Sequence, residues 1–432
     1  MKISLFQGIL LGVFALGAAV GLFVFATYTS NSTEESIGTV VVWGTLPKKS
    51  MESALVTATQ SSQELKDVKY AQKDSVTLAS ELATAIATGG APDLVLASQE
   101  ELLSLAKFIV PISRETLPES TFRSAFIDGA RILGAPSGYY GIPFLVDPLI
   151  LFYNRSTLSS AGVARPPATW EALTGLVPTI ATLTPSRQIT RSLIALGTYA
   201  NVQNARAILS TLFLQTNVPI AGYSAGGLLA ADLGNQFVNG SSPGQAVLRF
   251  YTQFADSAKS SYTWNASLPN SRQSFQVGDV ALYLGYVSEA RYLREANPNL
   301  NFDVSPVPQR ATAATKTAYG RIYSLMISRG ARNPAGAYQV AALLSNSDKQ
   351  GVAAAATGLA PVNTATLGNA PSDPVAAVAW GGALYTRGWL SPAPVDTDAV
   401  FSGMISNVIS GRLTPQSALS TAENTLNALL QR

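Results

Sequence analysis

Cysteine and histidine are both absent from the 432 residues. Without them the chain has no disulfide framework, no zinc finger, and no Cys-His or Ser-His-Asp nucleophile, so its chemistry rests on carboxylates and hydroxyls. A lipidated thiol is likewise excluded as a membrane tether, and any attachment must run through the polypeptide. Charge is scarce: 13% of residues are charged, the net charge is +3, and no basic cluster alternates with aromatics. A nucleic-acid partner is therefore not expected, and neither is a cofactor or a metal.

Apolar residues are plentiful, at 47%, and the length allows two or three domains with substantial cores. Ile3 to Thr27 carries no charge. At about 1.5 Å per residue, roughly 25 helical residues exceed a hydrocarbon core of about 30 Å, so this run reads as a spanning helix. Lys2 precedes it and Glu34 and Glu35 follow, which favours a cytoplasmic N-terminus with the rest of the chain outside. Val24-Phe25-Ala26 offers a cleavage site, but signal-peptide apolar regions span only about 7 to 15 residues. The expectation is a single-pass anchor over residues 1–30 and a polar linker over 31–37.

Beyond the linker, Thr39-Val40-Val41-Val42-Trp43 is a β-branched run closed by Gly44, a strand pattern. Ser75 to Thr88 is helical, with Leu78, Leu82 and Ile86 on one face and Gly89-Gly90 as the stop. Pro92 to Leu96 reads as a buried strand. Strand, helix, strand implies a parallel α/β sheet whose ligands gather outside the carboxyl ends of the strands. Gly138 to Asn154 can pass between two bodies. Thr169 is placed to cap a helix with Glu171 in its first turn, and helical patterns extend from there to about Ala258. Asp279 to Leu284, Asn301 to Val307 and Arg321 to Ile327 are strand candidates; Asn333 to Arg432 is largely helical. No fixed-period repeat occurs.

These segments, in this order, resemble family 1 of the extracellular solute-binding proteins, which serve ABC sugar transporters and include maltose-binding protein. The resemblance is carried by Trp43, by LASELATAIATGGAPD over 78–93, by Tyr140-Gly141-Ile142-Pro143-Phe144, by Leu151 to Arg155, by Ala161-Gly162-Val163, by Pro167 to Leu173, by FQVGDVAL over 275–282, and by Ile327-Ser328 with Asn333-Pro334 and Ala337. It covers roughly residues 39–432. The family's lipidated cysteine is missing, and Ala281-Leu282 stands where Ala-Met is commoner. The resemblance implies a type II periplasmic-binding-protein-like α/β fold. Its two lobes would be joined by three crossovers, near Asp147, Asn301 to Val307 and Gly358 to Asn363. Lobe I would take 38–146 and 305–360, and lobe II 147–304 and 361–432. A monomer is implied, receiving a sugar or related polar solute and passing it to ABC permease subunits.

A sugar presents an apolar face and a rim of hydroxyls, so its pocket needs flat aromatics and fixed donors and acceptors. The resemblance places Trp43, Gly44 and Thr45 at the cleft, although a tryptophan ending a strand is also ordinary core. Ser98, Gln99 and Glu100 follow the second strand at an equivalent rim, where a solvated helix cap is the plainer reading. Asp147 lies inside an apolar run and needs a partner or a hydroxylated ligand; the family carries a ligand-contacting acid there, against which stands a hinge-stabilising hydrogen bond. Tyr199 and Asn201 match a cleft segment. Tyr286 follows Gly285, where close backbone approach exposes a neighbouring side chain. Trp264, Trp380 and Tyr139 are stacking candidates that can equally be packing. Asp93 and Trp170 match the family motif but serve the scaffold. Two rivals stay open: an anchored glycoside hydrolase pairing Asp147 with Glu171 or Glu100, and a surface sensor on the same fold.

Overall fold

The computed structural model describes residues 37–224, 226–234 and 242–431. The expected membrane span at Ile3 to Thr27 and the alternative cleavage site lie outside them. Among the described residues no helix is long and apolar enough to cross a membrane.

Eight strands carry the architecture: β1 (Val40–Gly44), β2 (Val68–Gln72), β3 (Leu94–Ser98), β4 (Ile142–Asn154), β5 (Ile189–Ile194), β6 (Val280–Tyr286), β7 (Phe302–Ser305) and β8 (Ala318–Ser328). They form one mixed sheet in the order β2-β1-β3-β8-β4-β6-β5, with β7 also on β4. Only the flanks are parallel: β1 with β2 and β3, and β6 with β5. At the centre β8 and β4 are antiparallel to each other and to their outer neighbours β3 and β6. A parallel sheet holds for the first three strands and gives way at the junction.

The junction strand β4 is buried along its whole length. Its first half pairs with β8, from Ile142 opposite Leu325 to Pro148 opposite Gly320. Its second half pairs with β6, from Leu149 opposite Tyr286 to Tyr153 opposite Leu282, and on its other edge with β7. Pro148, lacking an N–H, sits where β4 changes partners, so its missing donor costs no ladder bond; its carbonyl accepts from Val287 at 3.1 Å. Two α/β lobes result, one around β1–β3 and one around β5–β6, tied together by β4 and β8.

The helices that position the site are α1 (Leu78–Thr88), α2 (Trp170–Gly175), α3 (Ala205–Gln215), α4 (Pro374–Ala383) and α5 (Pro394–Ile409). In α1, Leu78, Leu82 and Ala85 form the buried stripe, and Gly89 ends it with φ +74°, a left-handed cap that glycine adopts without strain. Thr169 accepts from the Ala172 amide to cap α2. Between α2 and Ala258 the chain is less helical than its pattern suggests, because β5 and a hairpin, Ile220–Tyr223 with Leu229–Asp232, lie within it. Only Ser192 to Ile194 of β5 are buried, so its buried apolar signal is two residues long, Leu193 and Ile194, and merges with the flanking helical pattern.

Candidate functional site

The turn after β3 delivers Glu100 into the contact between the lobes. Gln99 fixes that turn: its side-chain amide donates to the Gly320 carbonyl at 3.0 Å, locking it to the start of β8. The Glu100 side chain is 3% exposed. One carboxylate oxygen accepts from Arg206 Nη2 at 3.0 Å and Arg321 Nε at 3.1 Å; the other accepts from the Tyr319 hydroxyl at 2.7 Å. Arg321 and Tyr319 come from β8, whereas Arg206 is the second residue of α3.

The cluster continues on both sides of Glu100. Arg206 also donates to the Pro394 carbonyl at 2.9 Å and lies 3.6 Å from the half-exposed Asp398 of α5. Asp398 in turn accepts from the Tyr199 hydroxyl at 2.5 Å. The Arg321 guanidinium lies 4.0 Å from the centre of the Tyr286 ring, a cation–π contact. Asp147, 1% exposed on β4, accepts from the Ser288 amide at 3.0 Å and the Ser288 hydroxyl at 2.7 Å.

Burial alone would push the Glu100 carboxyl up, but Arg321 and Arg206 beside it, with the Tyr319 hydroxyl, hold it below the usual range. Asp147 has no such ion pair; burial pushes it up to about 6 against the pull of Arg321 and the Ser288 hydrogen bonds. Glu101 is raised by burial and by the neighbouring Glu100, and its carboxyl accepts from the Ser98 amide and hydroxyl. The arrangement therefore brings together a fixed acceptor, two fixed cations and buried tyrosine rings, the Tyr286 ring being covered by Arg321.

The structure thus gathers Glu100, Asp147, Tyr199 and Tyr286 of the expected residues. Ser98 stands at the rim but is occupied by Glu101. The turn Trp43-Gly44-Thr45 ends the neighbouring strand; Trp43 lies under the Lys73 ammonium, 3.9 Å from its ring centre, and Gly44 abuts Tyr70. Asn201 is spent on the scaffold, its amide donating to the carbonyls of Asn265 and Leu268 at 2.9 Å each. Three aromatics are packing residues. Trp264 is 1% exposed in the core, leaving no ring face open to a solute. Tyr139 stacks on Phe122 with centroids 4.2 Å apart, and Trp380 is partly buried on α4 against the core. Arg206, Tyr319, Arg321 and Asp398 were not singled out. The signal was available for two of them: Arg206 opens a mostly apolar helix and Arg321 interrupts a mostly apolar strand, the anomaly that marks Asp147.

Two cavities among the described residues lie apart from this cluster. One of about 670 Å³ is bounded by Arg131, Arg387, Tyr223 and Trp389, and one of about 460 Å³ by Trp170, Leu212, Val247 and Phe250. Neither includes Glu100, whose neighbours close directly on it.

Comparison with known proteins agrees with this architecture. Among solved structures, the GacH receptor of Streptomyces glaucescens, determined unliganded and with acarbose, superposes with a TM-score of 0.68 at 17% identity, covering 91% of this chain and 98% of that one. A cyclo/maltodextrin-binding protein with maltotetraose gives 0.72 at 16% identity over 91% and 97% of the two chains. A cyclic α-maltosyl-1,6-maltose binding protein from Arthrobacter globiformis gives 0.71 at 16% over 91% and 99%. A search of curated proteins finds no match. The profile of bacterial extracellular solute-binding proteins matches residues 54–378. That match spans most of the chain and agrees with the two-lobed sheet, so the chain belongs to the bacterial extracellular solute-binding protein family.

Proposed function

We propose that this chain is the solute-capturing component of an ABC importer and that its solute is a carbohydrate, enclosed between the lobes at Glu100, Arg206, Tyr286, Arg321 and Asp147. The observation that carries the reading is the meeting of Glu100 from one lobe with Arg206 from the other beneath the two connecting strands. Solute touching both walls favours the closed form over the open one, and only such a difference in affinity drives closure. Net hydrogen-bond contributions near 1 kcal/mol each make several contacts necessary for micromolar binding, about 8 kcal/mol. The solved neighbours named for acarbose, maltotetraose and cyclic maltosyl-maltose support a sugar.

We assign 38–146 and 305–367 to lobe I, 147–304 to lobe II, and the end of the chain to lobe II. The partner change at Pro148 and the pairing of β7 with β4 support the first two passages. The third we place beyond Leu367, since Thr364 still donates to the Ser124 carbonyl and Thr366 to that of Ser347. The uncharged run Ile3 to Thr27 serves as membrane anchor in this reading; fractionation of the full chain, with retention in the membrane after alkaline extraction, checks it.

Binding is favoured over hydrolysis. Glu171 is engaged elsewhere, accepting from the Ala311 amide at 3.0 Å, and Glu100, held ionised between two guanidiniums, is a poor proton donor. A carbohydrate panel read by melting temperature, with chromatography for released products, tests the reading. A rise in melting temperature without products supports it; turnover supports a hydrolase; no response to any carbohydrate removes the sugar assignment.

A further inference from the structure

The contact at Glu100 is made entirely by the protein's own side chains, and both partners have a second partner within reach on their own side. Were the lobes to part, Glu100 would keep Arg321 and Tyr319, at 3.1 and 2.7 Å. Arg206 would keep the Pro394 carbonyl at 2.9 Å and Asp398 at 3.6 Å. Neither charge is orphaned in either state, so separation avoids the penalty of a buried unpaired ion, and the two arrangements differ chiefly in one buried inter-lobe ion pair. Elsewhere along the interface the half-exposed Asp128 pairs with Arg387 at 2.9 Å, and neutral contacts include the hydroxyls of Tyr140 and Tyr223 at 2.8 Å and Ser104 donating to the Pro392 carbonyl at 3.3 Å.

The geometry points to a self-occupied cleft: Arg206 fills the solute's place at Glu100, and its ion pair latches the lobes shut when no solute is bound. This rests on the proposed inter-lobe binding site and adds its regulation. The solute must displace the guanidinium, so its apparent affinity is reduced by the fraction of molecules held shut. A latch favouring closure ten to one weakens binding about tenfold. Arg206 is then a specificity-determining residue, because only a solute whose own hydroxyl donors satisfy the Glu100 carboxylate replaces it without leaving that acceptor bare. Salt, which screens the pair as it becomes accessible, weakens the latch and tightens the apparent binding of a neutral sugar.

The test uses the full chain, whose lack of native cysteine allows clean pairwise labelling. Val56→Cys and Val277→Cys, at 65% and 66% exposed positions in the two lobes, carry spin labels for a distance distribution without solute. The short distance should dominate in the parent. Arg206→Gln and, separately, Glu100→Gln should each lower the closed-to-open ratio about tenfold or more, enough to abolish a ten-to-one latch. High salt should act in the same direction on the parent, which keeps the test independent of how either variant folds. A long distance in the solute-free parent, or a distribution that neither substitution nor salt changes, overturns the latch. If maltotetraose leaves all distributions unmoved while the substitutions open the parent, the sugar assignment fails and the latch stands.

Discussion

Asp147 and Glu100 respond to pH in opposite senses because one is buried beside neutral donors and the other between cations. Asp147 rises from an ordinary 3.8 to about 6. Its folded state therefore holds a proton that the unfolded chain releases across that window. The contribution is full below the unfolded value and is lost as pH rises to about 6. A shift of two units corresponds to about 3 kcal/mol at most. Glu100 is lowered, so its contribution is present above its ordinary value and lost as pH falls through the folded one. We expect Asp147→Asn, which keeps an acceptor for the Ser288 amide, to flatten the decline in stability between pH 4 and 6; urea melts across that range check it. A decline as steep as the parent's would place the titration elsewhere. Asp147 was legible because a carboxylate in an apolar run demands an explanation. Trp264 and Trp380 were not, since a tryptophan's identity is silent on whether its ring faces core or cleft.

At the scale of elements, caps and close approaches give the sharpest tests. Thr169→Ala removes the hydrogen bond to the Ala172 amide and should cost about 1 kcal/mol in a denaturant titration. Gly129 passes so near the strand that follows α4 that a Cβ there would lie 2.2 Å from the Thr386 carbonyl oxygen. Gly129→Ala must shift backbone, and a cost of about 1–3 kcal/mol is expected; an unchanged melt would show that the Thr386 strand is not held there. The helix α1 and strands β1 and β3 were readable because each carries a full local signal: period, β-branching, and a glycine stop. The strand β5 and the hairpin at Ile220 were not, since only half of each is buried and a half-buried short strand has too few apolar residues to outweigh its neighbours.

For the whole molecule, the pairs in the proposed site are separated by 106 residues for Glu100 with Arg206 and by 199 for Tyr199 with Asp398. No local pattern encodes such partners; only the order of segments hinted at which rims would meet. The two-lobed plan was legible through that order, whereas the ion pair across the lobes emerged from the packing itself. Exchange of backbone amides for deuterium, with and without a saturating carbohydrate from the panel, tests the central claim most directly. Slowed exchange should concentrate in the peptides spanning 98–101, 204–208, 285–289 and 319–322, the segments that converge on Glu100 and Asp147. Protection confined to the surroundings of Trp170 and Phe250, or spread evenly over the chain, would contradict an inter-lobe solute site.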